Sequence, residues 1–344
     1  MSDLDISRVD DPAAWTSAEI GGKEGLTHRL APEHIAALHE IVERTRHKAP
    51  HEVTREEAAH PALDALMTGV RHTIMKGLGA VILSGLDMDR ISLDEFQRMY
   101  WALGTHLGQG AVQSPRRDRI GYVQKVENNP EARGYMMDIE LRSHTDFHEI
   151  LSLASVRKSA EGGESGLVSS LALHNAIYDT RPELLPALYE GFFHASSGVS
   201  GEVSATKVPI FCKVDGKVSC YYHGLFISNA AKMMGVEVPP ALTEALTYMN
   251  ELAARPELRA DFMLEPGEMM FWHNFTALHS RTAFTDTDNQ RRLLLRLWLN
   301  VPDGRPMAPE FTDRARYMDV AHEAGRAAID YAKSGAIKQP EPAQ

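Results

Sequence analysis

At about residue 118 the chain changes texture, and no Pro/Gly/Ser-rich linker marks the change. Upstream, long segments with helical periodicity alternate with short apolar runs. Segment 32–46 places Ile35, Leu38, Ile41 and Val42 on one helical face, and 62–77 does the same with Leu63, Leu66, Val70, Ile74 and Met75. That second helix ends at Gly77 and Gly79 and feeds the apolar run Ala80–Leu83, which reads as a buried strand. Ser92 with Glu95 three residues on forms a capping box for a helix that buries Phe96, Met99, Tyr100, Leu103 and Leu107.

Downstream of the change, apolar runs shorten and turn residues separate them. Asp215-Gly216 between two alternating stretches predicts a hairpin over 206–223. Segments 261–264, 268–273 and 291–299 read as strands, with Pro266-Gly267 as a turn between the first two. Helices are expected at about 182–191, 241–254 and 312–333, and the tail 335–344 is expected to be disordered. The pattern predicts an α+β chain whose core is a β-sandwich or jelly roll with helices packed outside.

Composition narrows the function classes. With 43% hydrophobic and 24% charged residues the chain is neither disordered nor fibrous. A net charge of −11 argues against a general nucleic-acid binder. No apolar run is long enough to span a bilayer, and the acidic start MSDLDISRVDDP is unlike a signal peptide, so a cytoplasmic location is expected. Two cysteines supply neither a disulfide framework nor a cysteine zinc site. The length of 344 residues by itself suggests about two domains.

The densest cluster of ligand-type side chains is Arg142-Ser-His144-Thr-Asp146-Phe-His148-Glu149. In a strand, His144 and Asp146 project from one face and can reach a single metal ion. A solvated turn or a satisfied buried histidine would leave the same trace. His279, or alternatively His273, could complete two histidines and a carboxylate, the facial set of non-haem Fe(II) oxygenases. His144 and His148 also stand at the spacing of a zinc-peptidase helix, but Thr145 occupies the place where that motif needs a glutamate. Arg292 and Arg296 lie four apart in an otherwise apolar strand. A buried guanidinium there needs an anionic partner, and its planar fork suits a carboxylate; the alternative is a solvated outer face.

Four motifs then occur in order: His144-x-Asp146, Glu161-Gly162-Gly163-Glu164-Ser165, Leu278-His279-Ser280-Arg281-Thr282-x-Phe284, and Arg292-x-x-x-Arg296. Together they resemble the taurine dioxygenase/TfdA superfamily of Fe(II)- and 2-oxoglutarate-dependent oxygenases. The likeness covers about residues 60–300, and the His-x-Arg-Thr-x-Phe stretch leans toward the clavaminate synthase-like branch. The resemblance implies a double-stranded β-helix (jelly-roll) core with flanking helices, as one domain over 1–340 with a helical and hairpin lid insertion within 166–260. It implies His144, Asp146 and His279 as iron ligands, and Ser165 and Arg292 as partners of 2-oxoglutarate. Arg296 would hold the cosubstrate or an anionic substrate, and Arg291 competes with Arg292 for its role. Dioxygen completes the cofactor set, and Asp146 argues against a halogenase, which leaves that ligand position vacant for halide.

The implied reaction is hydroxylation of an unactivated C–H of a small molecule, with release of succinate and CO2. A metal-dependent hydrolase on the same ligands, or a non-catalytic metal- or 2-oxoglutarate-binding protein, are the rivals; the hydrolase leaves Ser165 and the arginine pair unexplained. Substrate contacts are expected from Arg142, His148, Asn129 and Tyr222, although Tyr221 and Tyr222 would serve equally as strand packing. Dimers or tetramers are common in this superfamily, so a homo-oligomer is the expectation.

Overall fold

A computed structural model describes residues 5–114, 117–127, 133–195 and 202–313. The helix expected over 312–333 therefore falls almost wholly outside the described residues, as do the tail 335–344 and Asn129.

Two sheets face each other. The major sheet runs β1 (Thr27–Arg29), β2 (Ala80–Ser84), β12 (Met269–His273), β6 (Ile150–Arg157), β15 (Leu293–Asn300) and β3 (Gln109–Gly110), with β4 (Gly121–Val123) also paired to β15. The minor sheet runs β11 (Arg259–Phe262), β8 (Ser165–Ser169), β13 (Ala277–Arg281) and β5 (Leu141–His144). β9 (Phe211–Val214) and β10 (Lys217–Cys220) form the expected hairpin, turning on positive φ at Asp215 and Gly216. β7 (Glu161–Gly162) pairs with β14 (Phe284–Thr285) as a separate two-stranded ladder.

Strand periodicity sorts side chains into three layers. Between the sheets, Ile82, Leu151, Met270, Trp272, Leu294 and Trp298 meet Leu167, Phe262 and Ala277. On the outer face of the major sheet, Val81, Leu83, Phe271, Leu295 and Leu297 pack on helices Pro32–Thr45, Pro61–Lys76 and Leu93–Thr105. Both faces of β15 are thus covered, which explains why residues 293–299 are apolar on both faces except at Arg296. Each fully buried leucine there contributes about 1.5–3 kcal/mol. The capping box of Ser92 and Glu95 is present, with both reciprocal hydrogen bonds.

The outer face of the minor sheet carries Val168 and Leu278, covered by helices Ser170–Thr180, Leu185–Glu190 and Pro240–Ala253. The segment expected as a lid over the mouth is therefore in large part a structural layer. Helices Ser170–Thr180 and Gly224–Met234 were not anticipated from periodicity.

Two histidines away from the site are buried as neutral rings. Burial pushes His106 and His174 down to about 4, from an ordinary value near 6.5. Their unfolded forms take up protons first, so stability falls as pH drops from about 6.5 toward 4, by up to about 3 kcal/mol for each ring. Melting temperature against pH should show this decline, and His174→Phe should flatten part of it.

Candidate metal centre

His144 closes β5, and His279 stands directly opposite it on β13. Asp146 lies just beyond the strand, on a turn that the Asn274 side chain clamps. Asn274 accepts from the Asp146 N–H at 3.0 Å and donates to the Asp146 and His148 carbonyls at 2.9 Å. One ligand-type atom from each of His144, Asp146 and His279 falls within 4.8 Å of the others, a spacing that one metal ion can bridge.

The outer contacts leave the right atoms facing inward. His144 Nδ1 donates to the Arg142 carbonyl at 2.7 Å, which frees Nε2 as a lone-pair donor. Trp298 Nε1 donates to Asp146 Oδ2 at 3.0 Å, leaving Oδ1 for a metal. Burial, with His144 beside it, pushes His279 down to about 3, so its imidazole is neutral and ready to coordinate. For Asp146 burial acts the other way, but His279, Arg296 and His144 outweigh it and hold the carboxyl below its ordinary range. A neutral imidazole beside an ionised carboxylate is the donor state a divalent cation requires. Replacing Trp298 by phenylalanine should weaken Fe(II) binding about 10- to 100-fold with little change in fold, read by anaerobic metal titration.

His273 is not part of this centre. Its Nε2 instead meets Glu149 Oε1 at 3.0 Å in the buried interior, whereas His279 is the histidine that groups with His144 and Asp146.

The arginines separate where the sequence had placed them on one face. Arg292 precedes β15, and a register irregularity between Leu293 and Leu294 breaks the alternation. Arg296 lies between the Tyr135 and Trp298 rings, 4.5 and 4.3 Å from their centroids. Its Nε donates to Gln113 Oε1 at 2.8 Å, and Nη1 is 4.0 Å from Asp146 Oδ2. Arg292 is 3% exposed, and its Nη1 has no partner among the described residues. Burial, and secondarily Arg281, pushes the guanidinium down to about 9, still charged at neutral pH. Arg291 instead is surface-exposed, 3.7 Å from Asp288, and so does not compete for the buried position.

A cradle lies beside Arg292. Gly163 has φ +82°, and a Cβ there would stand 2.8 Å from Ser159 Oγ and 3.2 Å from Arg292 Nε. Thr282 Oγ1 accepts from the N–H groups of Gly163 and Glu164 at 2.9 and 3.0 Å. The Gly-Gly-Glu-Ser and His-x-Arg-Thr motifs thus interlock, with Ser165 paired to Arg281 across β8 and β13. A cavity of about 380 Å³ opens on the Arg292 side, lined also by Gln124, Lys125, Glu127 and Asp286; it does not reach the three ligands.

Several expected substrate contacts lie elsewhere. The Tyr222 ring is buried in the outer layer with its hydroxyl bonded to Asn250, because alternation does not reveal which face of a strand is inward. Arg142 contributes its carbonyl, and its side chain is exposed. His148 is buried and stacks on Trp298 at 5.1 Å, one layer behind the ligands. His223, just past the hairpin, has its ring centroid 4.9 Å from that of His144 and stacks on Phe226 at 3.7 Å. Trp298 and Asn274 were missed. For Trp298 a signal existed, since it stands two residues beyond Arg296 and shares its face.

Residues 33–298 match the model of the taurine catabolism dioxygenase TauD, TfdA family. The chain belongs to this family. It is an Fe(II)- and 2-oxoglutarate-dependent dioxygenase, an oxidoreductase, as the motifs implied. Among curated family relatives, FR-33289 synthase of Streptomyces rubellomurinus is 29% identical over 311 residues, 86% of this chain and 91% of that one. The taurine hydroxylase-like protein SAT17 of Stachybotrys chartarum is 25% identical, over 84% and 79% of the two chains. The fold matches an asparagine oxygenase solved with Fe(II), 3-hydroxyasparagine and succinate, at TM-score 0.65 and 16% identity, covering 80% of this chain and 93% of that one. It also matches the non-haem iron oxygenase OrfP solved with Fe and α-ketoglutaric acid, at TM-score 0.60 and 14% identity over 80% and 94%. The jelly-roll expectation therefore holds. Among the described residues no helix is long and apolar enough to cross a membrane.

Proposed function

We propose that His144, Asp146 and His279 hold the iron, that Ser165 and Arg292 receive the distal carboxylate of 2-oxoglutarate, and that the enzyme hydroxylates a C–H of a small, polar, amino-acid-sized molecule. The observation that carries this is the meeting of three ligand-type atoms within 4.8 Å, in a chain that also buries a guanidinium whose Nη1 has no partner among the described residues. The substrate class is supported by structural neighbours whose complexes hold 3-hydroxyasparagine or L-arginine. When bound, the iron couples decarboxylation of 2-oxoglutarate by O2, giving succinate and CO2, to oxidation of the substrate.

The chain's own residues set the conditions. Trp298 and the Arg142 carbonyl orient Asp146 and His144, so the ligands need no rearrangement when metal arrives. Arg296, 4.0 Å from Asp146 Oδ2, offsets that carboxylate's charge, and the Tyr135 and Trp298 rings cover its guanidinium. His223 and Phe226 border the His144 side of the centre. His144, Ser165 and His279 of the minor sheet and Arg296 of the major sheet come from four different strands, which supports a single catalytic domain spanning 1–340.

Anaerobic titration with Fe(II) and 2-oxoglutarate tests the assignment. A weak visible charge-transfer band and, on admitting air, succinate release are expected. Metal binding without a band would point to the hydrolase alternative and sink the proposal.

A further inference from the structure

Arg292 is not the sole buried cation at the cradle. Arg281 is 5% exposed, and its Nε and Nη1 have no partner among the described residues. Its Nη2 donates to the Met137 and Ile139 carbonyls at 2.7 and 2.6 Å. Both guanidinium groups lie against one ring, 4.8 Å for Arg281 and 5.3 Å for Arg292 from the Phe284 centroid.

Two buried guanidiniums beside one ring repel, and desolvation adds to the cost unless an anion joins them. The nearest acids are engaged elsewhere. Asp138 pairs with Lys125 at 2.8 Å, and Asp286 accepts the backbone N–H of Arg292 at 2.9 Å. Register places Arg281 directly opposite Ser165 on the antiparallel β8–β13 pair, and paired side chains stand on one face about 5 Å apart. His279, two residues earlier on β13, shares that face and turns inward to the metal ligands.

We propose that Arg281 is a second arginine of the cosubstrate site, binding the distal carboxylate of 2-oxoglutarate together with Arg292 and Ser165. One carboxylate between two forks satisfies donors that are otherwise buried and unpaired. The bonds from Nη2 to Met137 and Ile139 anchor the guanidinium, so it is held in place before the anion arrives. The assignment rests on 2-oxoglutarate being the cosubstrate.

The test compares 2-oxoglutarate with 2-oxobutyrate, which offers the same 2-oxo-acid chelate without a distal carboxylate. Binding is measured by calorimetry on the Zn(II)-loaded full chain, where no turnover occurs. Arg281→Gln should weaken 2-oxoglutarate roughly 10- to 100-fold and leave 2-oxobutyrate within twofold. Equal losses for both ligands would show a bracing role through Met137 and Ile139 only, and would overturn the proposal. So would an unchanged preference for 2-oxoglutarate. If Arg281→Gln does not fold, Arg281→Lys decides by the same ratio, since it keeps the charge and loses the fork. A wild type that binds neither ligand overturns the cosubstrate assignment itself. A wild type that binds 2-oxoglutarate, with Arg281 variants that bind it equally well, overturns only the role of Arg281.

Discussion

His279→Ala should bind Fe(II) too weakly to show a charge-transfer band with 2-oxoglutarate, and its succinate release should fall by more than about 100-fold. That bound exceeds the 10- to 100-fold typical of losing an outer-shell partner, because a ligand itself is removed. Stability should change little. The ring is a half-buried neutral imidazole whose Nδ1 has no partner among the described residues. His273→Ala supplies the opposite phenotype. It removes the partner of the buried Glu149 carboxylate, which also receives the Arg305 N–H. That should cost about 1–3 kcal/mol in unfolding free energy while the charge-transfer band persists. The two variants together separate a metal role from a packing role for two histidines six residues apart. A band retained in His279→Ala, or lost in a folded His273→Ala, would reverse the assignment of the distal ligand.

What the sequence made legible was mostly local. The Ser92–Glu95 capping box, the Asp215-Gly216 hairpin and the amphipathic helices over 32–46 and 62–77 all rest on contacts between residues a few positions apart. Helix Ser170–Thr180 escaped because seven of its eleven residues are buried, Ser170, His174 and Asn175 among them, so no clear polar stripe marks its period. Helix Gly224–Met234 escaped for the converse reason, exposing Leu225, Met233 and Met234 on the face that should be polar.

At the site, ligand types and order were readable, whereas the supporting contacts were not. Trp298 reaches Asp146 across 152 positions and Asn274 across 128, separations at which no spacing rule operates. The register irregularity before Leu294 is likewise invisible in a run of leucines, yet it sends Arg292 and Arg296 to different ends of the site. Thr282 shows the intermediate case. Its motif is legible in the sequence, but its hydroxyl's hold on Gly163 and Glu164 follows only from the pairing of β8 with β13.

Arg292→Met should make the protein more stable and inactive at once. The methionine side chain fills much of the space of the arginine stem without a charge, and volume-conserving apolar replacement of buried charged groups is commonly neutral or stabilising by about 1–4 kcal/mol. Such a gain is expected at Arg292 because its Nη1 has no partner among the described residues and its neighbour Arg281 is of like charge. The expected result is a higher melting temperature for the ligand-free variant than for ligand-free wild type. In wild type, 2-oxoglutarate should add stability by mass action, about 2.7 kcal/mol at a hundredfold excess over Kd. In the variant that increment should vanish, so the two melting curves cross as 2-oxoglutarate is added. A variant that is both less stable and still responsive to 2-oxoglutarate would show that Arg292 is a structural cation already satisfied in the free protein. The crossing instead identifies a group whose burial is unfavourable until the cosubstrate arrives, which is how binding energy becomes selectivity for a dicarboxylate.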